Sequence, residues 1–292
     1  MKWIYALIAL AMFIAIPTLV VSLLAFSSPN AAEIKGCFTT TMNEVYLCQD
    51  SENYVELENI SDIAKNAILL SEDASFYSHK GFDWHELGQS MKTNFLRMKF
   101  ARGGSTITQQ LAKNSFLSGR KSLIRKVQEA FIAQQIEEML TKDAIFERYL
   151  NVIELGEEVY GIKNASQAYF AKPASQLNVL EAAYLAYLLP NPKVYSKVYE
   201  TSELTEFAEK RIRDILRLLH RFKRIEDNQL EVANELVTRF PWYDLSAEEQ
   251  ALLQGSSSEF NEPLEDELLP HFSGGEVSED DSEDEQVSDI ED

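Results

Sequence analysis

Residues 72–83 read Glu72-Asp73-Ala74-Ser75-Phe76-Tyr77-Ser78-His79-Lys80-Gly81-Phe82-Asp83. Glu72 closes an apolar run, Ile63, Ala64, Ala67, Ile68, Leu69 and Leu70, whose three- and four-residue spacing predicts a helix with one buried face. A carboxylate at the end of such a helix, followed by Asp73, Phe76 and His79, is predicted to be partly buried. Burial disfavours its charged form and makes it a candidate proton acceptor. The same helical spacing recurs in 121–140, 143–151, 177–189, 202–222 and 226–238, and Pro190-Asn191-Pro192 ends one of these segments. Asp83-Trp84-His85-Glu86 has the form of a capping box opening another. The chain is therefore expected to be mainly α, with a body over 60–240 and no repeat of fixed period.

Just beyond Asp83 the charge pattern becomes one-sided. Between Leu87 and Gln128 there is no Asp or Glu, while Lys92, Arg97, Lys99, Arg102, Lys113, Arg120, Lys121, Arg125 and Lys126 supply nine cations. An ordinary solvated face intersperses both signs, so exclusion of one sign points to phosphate or anionic headgroups. Phe95, Leu96, Met98, Phe100, Phe116, Leu117, Leu123 and Ile124 are interleaved with these cations, as on a surface that dips into a membrane interface. Within the block, Gly103-Gly104-Ser105-Thr106-Ile107-Thr108-Gln109-Gln110 reads as a Gly turn entering a helix. Its first amides, backed by Lys113, could hold a phosphate or sugar hydroxyls. Glu129 follows the block; a surface ion pair with Arg125, four residues earlier on a helix, is its plain alternative reading.

The two ends of the chain differ from the body. Trp3 to Phe26 is 24 residues without a charge, preceded by Lys2, long enough to span a hydrocarbon core of roughly 30 Å. Residues 1–30 are read as a retained anchor with the rest of the chain on the non-cytoplasmic side; a cleaved signal peptide is the alternative, although its apolar run is usually shorter. Nucleic acid is not expected as a partner on that side. Residues 31–59 form a short lead-in, with Glu44–Leu47 and Tyr54–Leu57 as its two strand candidates. Cys37 and Cys48 flank a stretch able to turn back on itself, and either a bridge or two free thiols fits. Of the formal net charge of −20 over 292 residues, fifteen negative charges lie in 259–292, which has no Lys or Arg. Residues 241–292 are therefore read as an acidic tail, with 273–292 too poor in apolar residues to order.

The stretch 72–83 resembles the first signature of the peptidoglycan glycosyltransferases (glycosyltransferase family 51). Others follow in order: Gly104–Gln110 with Lys113-Asn114, then Arg125-Lys126-Val127-Gln128-Glu129, then Lys142–Asn151, and last Glu181–Pro192. Five ordered signatures across 60–196 make a specific match. Two departures occur, Phe146 for the usual Leu and Ala171 for the usual Gly after Tyr169-Phe170. The resemblance implies a lysozyme-like α-helical fold with a membrane-associated jaw subdomain, and polymerisation of lipid II into glycan strands. It implies Glu72 as general base, Glu129 as the second glutamate near the diphosphate, and Lys113, Arg120 and Arg125 as diphosphate ligands. Ser105, Gln109 and Gln110 are implied to line the donor side, with Lys126 as a further candidate; Asp73, Phe76, His79, Gly81, Gly104 and Asn151 are motif residues with structural roles.

The implied chemistry agrees with the charge pattern. A sugar hydroxyl is a weak nucleophile and needs a carboxylate to take its proton, whereas a diphosphate leaves without a proton and needs fixed cations or a divalent ion such as Mg²⁺. A glycan-cleaving enzyme would more naturally want two carboxylates and no cation block. That enzyme is one alternative; a scaffold whose acidic tail recruits a cell-wall synthesis partner is another. Ser118-Gly119-Arg120-Lys121 formally matches the Ser-x-x-Lys of transpeptidases, but no Lys-Thr-Gly follows, and a monofunctional enzyme of the bacterial inner membrane, facing the periplasm, is expected. His79 and His85 lack zinc-like neighbours and are read as structural.

Overall fold

The computed structural model describes residues 28–84, 88, 104–119 and 122–254, with positions 3–5, 12, 13, 15, 18 and 22 near the N-terminus. The helices are α1 (Asp62–Glu72), α2 (Ile107–Phe116), α3 (Leu123–Met139), α4 (Lys142–Val152), α5 (Ile162–Phe170), α6 (Val179–Leu188), α7 (Pro192–Tyr195), α8 (Lys197–Thr201), α9 (Glu206–Arg221), α10 (Asp227–Leu236) and α11 (Ala247–Leu253). Two small antiparallel hairpins accompany them: β1 (Phe38–Thr39) with β2 (Tyr46–Leu47), and β3 (Glu154–Gly156) with β4 (Val159–Tyr160). The chain is mainly helical, as the spacing predicts. Most helices begin with a side-chain cap of the expected kind; Ser61, Thr106, Ser122, Thr141, Asn178, Thr205 and Ser246 each accept a bond from a first-turn amide.

Helix α6 is the centre of the molecule. All its residues are buried, including Glu181, which caps the helix start and pairs with Lys172 at 2.7 Å. A helix that is apolar all round must be enclosed, and α1 and α9 pack along it. On the other side α2 lies against α3 and α4. Phe146, the departure from Leu, is fully buried and sits between Phe76 and Tyr149 at ring separations of 5.8 and 6.4 Å.

The lead-in is pinned by α4 and α2. From α4, Arg148 Nε donates to the Ile34 carbonyl at 2.6 Å, and the Asn151 side chain bonds both backbone groups of Val55 at 2.8 and 2.9 Å. Glu147, one turn before Asn151, accepts from the Leu57 amide at 2.9 Å and from the Tyr54 hydroxyl. At the C-terminal end of α2, Thr41 and Met42 amides donate to the carbonyls of Ser115 and Asn114 at 2.9 and 3.2 Å. The last turn of a helix leaves such carbonyls without internal partners; here the first hairpin supplies the donors.

Two sequence expectations change. Tyr46–Leu47 is a strand, but its partner is Phe38–Thr39 and not the 54–57 stretch, which leads into a 3₁₀ turn at Leu57–Asn59. The short hairpin wins because Cys37 and Cys48 flank it directly and are bridged, with Cα atoms 4.3 Å apart. The ordered body also runs past 240. Trp242, Leu245 and Leu253 are buried, and α11 packs on α10, so the tail cannot begin at 241. Residues 255–292 lie outside the described part, as do most of 1–27 and of the helix expected from Asp83. Among the described residues no helix is long and apolar enough to cross a membrane.

Ala171, the second departure, ends α5 in the left-handed region at φ 53° and ψ 33°. That conformation favours Gly, which explains the usual residue there. Ala171→Gly should stabilise the protein by about 0.5–1 kcal/mol after allowing for the greater freedom of Gly in the unfolded chain. Thermal denaturation should show a Tm about 1–3 °C higher; a lower Tm would contradict the assignment of strain to this residue.

Candidate active site

The first and second signatures are locked together through Asp73. This buried residue ends α1 and turns its carboxylate onto the start of α2, where the Ile107 amide donates to Oδ2 at 3.0 Å. A negative charge at a helix N-terminus is favourable. His79 Nε2 lies 2.9 and 3.0 Å from the two carboxylate oxygens. Thr106 adds a second tie, its hydroxyl donating to the Gly81 carbonyl at 2.8 Å while capping α2. Gly81 has φ +82°, and a Cβ there would lie 3.2 Å from the Glu137 side chain. The motif residues Asp73, Phe76, His79 and Gly81 therefore set the angle between α1 and α2, and Phe76 is fully buried beneath them.

That angle brings Glu72 over α2. Gln110 Nε2 donates to Glu72 Oε2 at 2.7 Å, and the Gln110 carbonyl accepts from the Tyr149 hydroxyl at 3.2 Å. Burial pushes the Glu72 carboxyl above its ordinary range; Gln110 opposes this, Asp73 reinforces it, and Lys113 and Arg211 oppose it. The sequence-based expectation of a partly buried carboxylate with a raised pKa agrees with this setting.

Glu129, from α3, is only 2% exposed and is satisfied by Lys126 on the same helix, whose ammonium also donates to Ser105 Oγ at 2.6 Å. Its partner is thus Lys126 at three residues and not Arg125 at four. Arg125 instead reaches the Ser118 carbonyl at 3.2 Å, and its Nε is buried without a hydrogen-bond partner among the described residues. Lys113, on α2, is the electrostatic link between the two glutamates. Burial lowers its pKa from the ordinary value; Glu129 and Glu72 oppose that shift, and Arg125 and Lys126 add to it.

The structure thus brings together Glu72, Gln110, Lys113, Ser105, Arg125, Lys126 and Glu129. Gln109 does not join them: it is buried, and its carbonyl accepts from the Thr106 amide at 3.0 Å in a capping box. Asn151 serves the lead-in, as described above. Gly104 precedes α2 outside any regular element, and Arg120 lies outside the described residues. Two contributors were missed from sequence, Tyr149 and Arg211. Tyr149 stands inside the fourth signature on the core-facing side of α4 and could have been found there; Arg211 is one of many charges on α9 and carried no signal.

The donor set does not fit a resident divalent ion. Such ions take oxygen ligands, usually carboxylates and phosphates, and here Glu129 is engaged by an ammonium while Glu72 accepts an amide. Among the described residues no group of three or more His, Cys, Asp or Glu is arranged to hold a metal.

Comparison with known proteins identifies the family. A family model described as transglycosylase matches residues 39–220. Similar curated proteins include the biosynthetic peptidoglycan transglycosylases of Methylobacillus flagellatus, 45% identical over 155 residues (53% of this chain, 68% of that protein), and of Alcanivorax borkumensis, 48% over 144 (49% and 59%). That of Herminiimonas arsenicoxydans is 47% identical over 147 residues (50% and 64%). The matched stretch thus spans roughly two thirds of these relatives' own length. With the family match covering both glutamates, the cations between them and the helices that hold them, the chain belongs to the transglycosylase family, the peptidoglycan glycosyltransferases whose five signatures it carries.

Proposed function

We propose that this protein polymerises peptidoglycan glycan strands, transferring a lipid-diphosphate-linked chain to the 4-hydroxyl of lipid II. The observation that carries the reading is a partly buried glutamate, Glu72, held by Gln110 on the same helix as Lys113, beside a buried second glutamate, Glu129, that is engaged by Lys126. Glu72 accepts the proton of the attacking hydroxyl, whose oxygen forms the new β-1,4 bond at the anomeric carbon. The bond to the diphosphate breaks with inversion, and its electron pair leaves on the polyprenyl diphosphate. Lys113, Arg125 and Lys126 meet that developing charge. Glu129 is held by Lys126 and positions cations; a hydrolase would need it free as a second carboxylate.

The charge-free run at 3–26 supports a single-pass anchor in the bacterial inner membrane with the catalytic body on the periplasmic side. Trp84, Leu123 and Ile124, exposed at the edges of the basic block, support a membrane-associated jaw. Any divalent ion that assists would arrive with the diphosphate oxygens, since Mg²⁺ is commonly held through substrate phosphates. Beyond its lipid substrates, the excess of acidic residues at 259–292 supports recruitment of cell-wall synthesis proteins with basic surfaces.

The test is the full-length protein in detergent with labelled lipid II, with and without Mg²⁺. Long, lysozyme-sensitive strands are expected. No product under either condition, or release of muropeptides from finished peptidoglycan, would overturn the reading.

A further inference from the structure

The mechanism above uses Glu72 but not the buried phenol behind it. Tyr149 is completely enclosed on α4, stacked on Phe146 with rings nearly parallel at 16°. Among the described residues its hydroxyl donates to one group, the side-chain carbonyl of Gln110, whose NH₂ in turn donates to Glu72 Oε2. An ionised carboxylate can only accept, so Gln110 must present its NH₂ end to Glu72 and its oxygen to Tyr149. Burial, then the charges of Glu72 and Asp73, raise the phenol pKa well above its ordinary value, so Tyr149 stays a neutral donor.

We propose that Tyr149 is a positioning residue for glycosyl transfer: its hydroxyl fixes the Gln110 amide, which holds one oxygen of Glu72 and leaves the other facing the acceptor hydroxyl. The inference rests on the reading of Glu72 as base. Gln110 thereby changes role, from a donor-side substrate ligand to the residue that aims the base. It is the strongest opposing influence on a carboxyl whose charged form burial disfavours. The other charged groups that bear on Glu72 come from each side: Asp73 beside it, Lys113 from α2 and Arg211 from α9. Helix α6, although packed along α1, turns Tyr184 and Tyr187 into a separate aromatic cluster with Tyr169 and Tyr199.

The experiment is a double-mutant cycle on the full-length enzyme with Tyr149→Phe, Gln110→Ala and both. Tyr149→Phe keeps the ring and its stacking and removes one hydrogen bond, for a fall in kcat of about three- to tenfold. KM for lipid II should stay within about twofold of the parent. The acidic limb of the pH–rate profile should move to higher pH, because a loosened Gln110 no longer favours the ionised carboxylate. Gln110→Ala should move it the same way, and adding Tyr149→Phe to it should change nothing further. Multiplying effects, or an unshifted acidic limb in Tyr149→Phe, would overturn the proposal. Gln110→Asn, which draws the amide back from both partners, gives the same pH readout should Tyr149→Phe fold poorly; an unshifted limb there is equally fatal. Thermal denaturation of the four proteins reads the 149–110 coupling with no substrate, so an error about Glu72 as base would leave that coupling intact, whereas an error about the relay would abolish it.

Discussion

Glu72→Gln is expected to abolish polymerisation, by a factor of about 10²–10⁴ if only the base is lost, while leaving the protein as stable as before or more so. The two outcomes have one cause. Burial holds the Glu72 carboxyl above its ordinary pKa, which means the folded state favours the protonated form. Such a group contributes stability at low pH that is lost as pH rises through its folded pKa, so the side chain, once ionised, is a net burden. Glutamine removes the charge and keeps an oxygen able to accept from Gln110. Thermal denaturation at pH 7 should show a Tm equal to the parent's or higher by about 2 °C, and the difference should shrink as the pH is lowered. Near-parental activity in this variant would remove Glu72 from the mechanism; a large drop in Tm would show instead that the ionised carboxylate holds the fold. The same raised pKa sets the acid side of the parental rate profile, with activity falling as pH decreases through it.

The second large effect is expected at Lys113. Replacing it with Ala should lower turnover by about 10²–10³, the size seen when a fixed group facing developing negative charge is removed. Its pKa is lowered, chiefly by burial, so the cation is lost on the alkaline side at lower pH than an ordinary lysine. Activity should therefore decline there as pH rises. Lys113→Arg keeps its charge to much higher pH, and whatever activity it retains should lack that decline. An alkaline limb identical in the parent and Lys113→Arg would assign it to another group.

The residues that were legible in the sequence are those whose chemistry is local. Glu72 follows from the apolar run before it, the cations from the missing acids around them, and the helices from their spacing. What sequence could not supply was which side chain meets which. Gln109 and Gln110 are adjacent amides of the same type, yet one closes a capping box and the other reaches Glu72, because successive helix positions point about 100° apart. Glu129 has two cations within reach on its helix, and it is Lys126 that meets it while also bonding Ser105 from another segment. The strand at 38–39 is not legible in the sequence because two residues are too few to show an alternating pattern, whereas 54–57 shows one. The bridge between Cys37 and Cys48, and the open carbonyls of α2, favour 38–39.

Helix α4 carries a final consequence. One side of its ten-residue signature meets Gln110 through Tyr149, and the other grips the chain at Ile34, Val55 and Leu57 through Arg148, Asn151 and Glu147. A single string in the gene thus encodes two separate failure modes, one of turnover and one of assembly. A genetic screen scoring growth alone would merge them, although cells carrying the first kind of lesion would still accumulate full-length, correctly built protein.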